Sequence, residues 1–181
     1  NIKNFLVQRA GFQNSGVSEN NRLIERHDSR SGYFWTSYDF AGNKNEQNLF
    51  RNPLGPGGDF GFKHDGGETI FSLPNGFQAY YLNTVDRKKL DLGPLPIVQD
   101  TTKTGDQTVT NGISCMSCHD RGIKAAKDEV RALVTADQSF PEEVRQKVEA
   151  LYPDNAKLTD TLAKDEARFM RAMQEAGVLE P

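Results

Sequence analysis

Two cysteines constrain this chain more than any other feature. It has only these two, and both lie in Cys115-Met116-Ser117-Cys118-His119. A Cys-x-x-Cys-His run is the attachment signature of c-type haem. The spacing has a chemical reason. On a short helical turn, residues three apart share a face. Two thiols on that face reach the two vinyl groups of one porphyrin, and the next residue, His119, is carried beneath the ring to bind iron. Three other uses of the motif compete. A zinc site needs four ligands, commonly a second Cys pair or two spaced His. There is no second pair, and His27 and His64 lack His-x-x-x-His spacing. A thioredoxin-like pair needs a strand and a βαβ setting, whereas the preceding Thr101–Asn111 is polar and loop-like. A disulfide between residues three apart is strained. The motif therefore predicts one covalent haem c, attached through Cys115 and Cys118, with His119 as proximal ligand.

The rest of the composition fits an ordinary domain. At 181 residues the chain can bury a core without disulfides. It carries 16 Gly and 8 Pro, so many turns are expected. Net charge is −3, with acids and bases balanced through His119, so the excess follows the motif. This is not the basic footprint of a nucleic-acid binder. No stretch is long and apolar enough for a transmembrane segment. The chain has neither a signal peptide nor an initiator Met and reads as a mature form or a piece of something longer. Covalent haem attachment in bacteria takes place outside the cytoplasm, so a periplasmic or secreted location is expected.

Along the chain, residues 1–20 read as an irregular lead-in, and Ser18–His27 as a short helix with Ser18 as N-cap and Leu23 and Ile24 inward. Tyr33–Phe40 is aromatic-rich and predicts a strand. Asn43–Asp59, with Gly55-Pro56-Gly57-Gly58, predicts a loop. It is not a phosphate loop, because the Lys-Ser/Thr and the preceding strand are missing. Glu68–Leu73 and Phe77–Leu82 flank Pro74-Asn75-Gly76 and predict a hairpin, because Asn and Gly tolerate positive φ. Three helices are expected after the motif. Lys124–Ala136 carries a Val130, Leu133, Val134 stripe. A second helix opens on a Ser139-Phe140-Pro141-Glu142 capping box and ends near Tyr152-Pro153. The third runs from Leu158 to Ala176 and stops at Gly177. The fold class is α+β, in one haem c domain over 1–181. A β-rich lobe (20–110) and a helical, haem-binding lobe (111–181) would enclose the haem.

The sixth iron ligand separates electron transfer from chemistry at an open iron. His64, in Lys63-His64-Asp65-Gly66-Gly67-Glu68, is one distal candidate, with Asp65 or Glu68 to hold its other ring nitrogen. Met170 is the other, about 100° around its helix from Phe169. Met173 shares a stripe with Leu158, Leu162 and Phe169 and reads as core packing. Met116 lies inside the motif, and His27 reads as an exposed residue. Trp35, Tyr80, Tyr81, Arg51 and Arg121 are candidate propionate partners. Arg121, Lys124, Lys127 and Arg87-Lys88-Lys89 could steer an acidic redox partner.

The run Gly-Ile-Ser-Cys-Met-Ser-Cys-His-Asp-Arg-Gly (112–122) resembles a bacterial c-type cytochrome. The earlier Phe62–Tyr80 segment is similar to that of exported mono-haem proteins in which such a hairpin precedes a late haem motif. With Tyr33–Phe40 and the helical tail, the resemblance spans about two thirds of the chain. It implies a haem domain, sometimes within a longer polypeptide, and a distal role for His64. The chain departs from small cytochromes c, whose motif lies near the N-terminus, since 114 residues precede Cys115. The expectation is a mono-haem electron carrier outside the cytoplasm, serving a redox partner protein or a fused domain. The alternative is a haem enzyme, or a gas- or peroxide-binding sensor, with an open distal site.

Overall fold

The computed structural model describes residues 7–178. Five strands form one antiparallel sheet in chain order: β1 (Gln8–Phe12), β2 (Arg22–Ser29), β3 (Gly32–Asp39), β4 (Gly66–Ser72) and β5 (Gln78–Thr84). Four helices follow: α1 (Ile113–Cys118), α2 (Val130–Ala136), α3 (Glu142–Leu151) and α4 (Asn155–Glu175). The class is mixed α+β. No described helix is long and apolar enough to cross a membrane.

Strand alternation sends side chains to two differently covered faces. On the first, Leu23, Phe40 and Leu49 pack against Val130 and Val134 of α2 and Val144 and Val148 of α3. On the second, Ala10, Trp35 and Ile70 pack against Ile123 and against Leu158 and Leu162 of α4. A smaller cluster of Leu82, Val98 and Val109 extends that second side.

The strand expected at Tyr33–Phe40 is β3, where Tyr33, Trp35, Ser37 and Asp39 are the buried set. The expected hairpin is β4–β5. Its turn closes through Leu73 N–H to Phe77 O, 2.8 Å, with Gly76 at φ 86°. The last helix begins a turn earlier than expected, at Asn155, because the Asp154 carboxylate accepts the Lys157 N–H.

Five expectations are corrected. Ser18–His27 is not a helix, since β2 occupies most of it and pairs with both β1 and β3. Leu23 and Ile24 therefore face opposite sides of the sheet, and the charged residues that flank them, Arg22, Glu25 and Arg26, form inward ion pairs rather than a solvent face. Arg9 Nε donates to Glu25 at 2.6 Å, and Arg26 Nε to Asp165 at 2.8 Å. The irregular lead-in contains β1, while residues 1–6 of that expectation lie outside the described residues. The helix expected from Lys124 forms only from Val130. There the Asp128 carboxylate accepts the N–H groups of Val130 and Arg131 and also that of Gly11 in β1. The capping box is not built either. Pro141 precedes α3 with no side-chain cap, and the Asp137 carboxylate takes the Ser139 N–H. In the expected stripe, Val130 and Val134 are buried but Leu133 is 44% exposed.

Candidate functional site

The motif is docked against the sheet by its own flanks. Asn111 Oδ1 accepts the Leu82 N–H of β5 at 3.1 Å, and Ser114 Oγ accepts the Thr110 N–H at 3.0 Å. Gly112, at φ 80°, turns the chain into α1. Cys115 is 4% exposed and Cys118 half-buried, one helical turn apart and not bonded to each other. His119 ends the helix, its N–H donating to Cys115 O at 2.8 Å. Its ring is fixed by a second contact, Nδ1 to Gly122 O at 2.9 Å. A carbonyl can only accept, so Nδ1 carries the proton and Nε2 holds the lone pair a metal needs. Gly122, at φ 95°, lies so close to Phe169 of α4 that an added Cβ would sit 3.2 Å from the ring.

Cys115, Cys118 and His119 all line one cavity of about 440 Å³, within the ~300–1,000 Å³ usual for cofactor sites. Its sheet wall is the second face described above, with Ile24, Trp35, Ile70 and Leu82; Val98, Val109 and Ile123 continue the apolar lining. Polar and charged side chains line the rest, including four carboxylates, Asp39, Glu68, Asp100 and Glu129. Arg22 pairs with Asp39 through Nε at 2.5 Å, and exposed Lys124 and Lys127 stand on the rim. Glu68 also lines the cavity, and its Oε1 is buried with no hydrogen-bond partner. Burial, and then the Glu68 carboxylate beside it, pushes the Cys115 thiol well above its ordinary range.

The other candidate ligands lie elsewhere. His64 packs edge-on against Tyr38 and Phe62, with ring centroids 5.0 and 6.1 Å away. Those rings belong with the first face, so the sheet stands between His64 and the cavity. Burial lowers the His64 pKa. Asp65 does not hold its ring, because one carboxylate oxygen accepts from Ala41 N–H and Gln47 Nε2, while Glu68 faces the cavity. Met170 and Met173 are half-buried on α4, off the cavity wall. Through Phe169, α4 packs behind Gly122 and so behind His119. Met116 is 56% exposed. His27 stacks on Phe34 at 4.6 Å and its Nε2 contacts Glu25.

The candidate propionate partners divide: the Tyr80 ring lies 6.1 Å from that of His119, while the others do not gather with it. Trp35 lines the cavity, but its Nε1–H goes to Asp165 at 2.8 Å. Tyr80 and Tyr81 donate to Gln78 Oε1 and Arg87 O, and Arg51 and Arg121 are exposed away from the wall. Arg22 and Glu68 are among the polar wall residues that sequence reading did not place at the site. Read with period two, residues 22, 24 and 26 share a face, the signal that a helical reading of the segment hides.

The competing uses of the motif find little support in this geometry. Among the described residues, no three His, Cys, Asp or Glu side chains converge as a metal site would need. The sheet is an antiparallel meander without a βαβ unit, and no strand leads into α1. Compared with known proteins, the chain matches no family profile, no curated protein and no solved structure.

Proposed function

We propose that the chain is a mono-haem c-type cytochrome domain that exchanges electrons outside the cytoplasm. The observation that carries this is the motif's geometry: two cysteines one turn apart on a cavity wall, beside a histidine whose Nδ1 is tied to Gly122 O. Cys115 and Cys118 would each add across one vinyl group. Each thiol would give its sulfur to one vinyl carbon and its hydrogen to the other, with no net change of oxidation state. His119 would offer Nε2 to iron, and the Gly122 carbonyl would orient the ring and raise its basicity. Bound haem supplies a one-electron iron couple, whose potential follows ligand, hydrogen bonding and burial. The apolar side chains of the sheet wall, Ile24, Trp35, Ile70 and Leu82, would pack against the ring. Exposed Arg87, Lys88, Lys89 and Arg121 supply cations that a redox partner or fused domain could meet. The extracytoplasmic location follows from the attachment chemistry.

A second reading keeps the haem but leaves its sixth position open to a small molecule. It is favoured by one observation: among the described residues, no His or Met apart from His119 lines the cavity. Carbon monoxide added to the reduced protein decides between them. A spectrum unmoved by the gas supports the electron carrier with two protein ligands. An immediate shift of the Soret band selects the open site and rejects the simple carrier.

A further inference from the structure

Three arginines of the sheet sit in ion pairs, and one of them donates through Nε alone. Arg26 donates through Nε and both terminal nitrogens to Asp28 and Asp165. Arg9 donates to Glu25 and to Leu54 O. Arg22 donates only through Nε, to Asp39, whose other oxygen accepts from Ser37 Oγ. Its two terminal nitrogens hydrogen-bond no protein group among the described residues, although the side chain is only 13% exposed and lines the cavity. A guanidinium held rigidly by its Nε edge presents the remaining fork to a planar anion, the geometry of bidentate carboxylate recognition.

Strand register gives its position. Arg22 stands opposite Asp39, and Asp39 opposite Gly66. Glu68, beside Cys115, lies two residues further along β4. Two strand spacings of ~4.8 Å and two residues of ~3.4 Å put Arg22 roughly 12 Å from Glu68. The cavity thus has a carboxylate at its cysteine end and a guanidinium away from that end. In a porphyrin of the haem type, vinyl and propionate groups occupy opposite edges of the macrocycle.

We infer that Arg22, braced by Asp39, binds a propionate of the haem fixed at Cys115 and Cys118. This rests on the haem reading above. Glu68 works in the same direction, since a carboxylate at the cysteine end repels the propionate edge from the thioether position. Asp39, Asp100 and Glu129 also line the cavity. Asp39 is already matched by Arg22 and Asp100 by Lys103. Lys124 and Lys127 on the rim supply charge for the second propionate.

The test uses the full chain matured with haem. Covalent haem is counted in the wild type by its pyridine haemochrome. Reduction potential and the propionate bending band in resonance Raman are then compared in Arg22→Met, Arg22→Lys and the rim control Lys124→Gln. Losing a cation beside the haem favours the oxidised iron, so Arg22→Met should lower the potential and shift the band, more than Lys124→Gln does. Arg22→Lys keeps the charge but not the fork, so it should shift the band with a smaller change of potential. It also carries the test if the Met variant does not fold. Wild type without covalent haem overturns both this inference and the reading it rests on. Haem in the wild type, with band and potential unmoved in the Arg22 variants, overturns the inference alone. A merely structural Arg22 would change the unfolding midpoint and neither of those readouts.

Discussion

At the scale of single residues, the account turns on His119 and the carbonyl that holds it. His119→Gly should remove any low-spin haem spectrum while leaving the cysteines able to retain haem; an unchanged spectrum would refute the ligand assignment. Gly122 acts through geometry. Its φ of 95° strains any side chain, and an added Cβ would crowd the Phe169 ring at 3.2 Å. Gly122→Ala should cost about 1–2 kcal/mol from the left-handed backbone alone. It should also loosen the His119 ring, read as a lower unfolding midpoint with a broadened Soret band. Glu25 carries a pH dependence. Burial by itself would raise its pKa, but the Arg9 charge and the hydrogen bonds from His27 and Arg9 outweigh that and hold it below its ordinary value of 4.5. A depressed carboxylate contributes stability above its unfolded pKa and loses that contribution as pH falls through the lower folded value. Glu25→Gln should therefore lower stability at neutral pH and flatten the acid limb of a stability–pH profile measured by urea unfolding.

At the scale of elements, β2 shows where sequence reading succeeds and where it fails. β3 and the β4–β5 hairpin were legible because alternation and an Asn-Gly turn are local signals. α4 was legible because its apolar stripe is regular. β2 was not, because Arg22, Glu25 and Arg26 look like a solvent face and in fact point into paired, buried positions. Only distant partners make that burial possible: Arg9, Asp39 and Asp165. Asp165 is the sharpest case. From α4 it accepts Trp35 Nε1–H and two bonds from Arg26, clamping the helix onto the sheet beside the cavity. Asp165→Ala leaves a buried cation and an indole N–H short of a partner. It should destabilise by about 3 kcal/mol, seen as a lower denaturation midpoint with an unchanged slope.

At the scale of the whole molecule, the sheet is a partition. One face is closed by α2 and α3; the other carries α4, α1 and the cavity. That Cys115, Cys118 and His119 line one cavity was legible in the sequence, since the three are neighbours in the chain; the haem they are proposed to hold is inferred from their spacing. The far side of the cavity was not legible. Which of His64, Met170 or Arg22 shares a chamber with His119 depends on strand register and on which face each residue takes. A one-residue change of register reverses that choice. The proposed function rests on Cys115 and Cys118 holding one haem in this cavity. Intact-mass spectrometry tests it most directly, on the chain exported from a bacterial host that matures c-type haem. The account predicts a mass above the 20.2 kDa of the bare chain by one haem, and loss of that addition in the Cys115→Ala, Cys118→Ala double variant. A wild-type chain recovered at its bare mass from a host that loads a control cytochrome would contradict it.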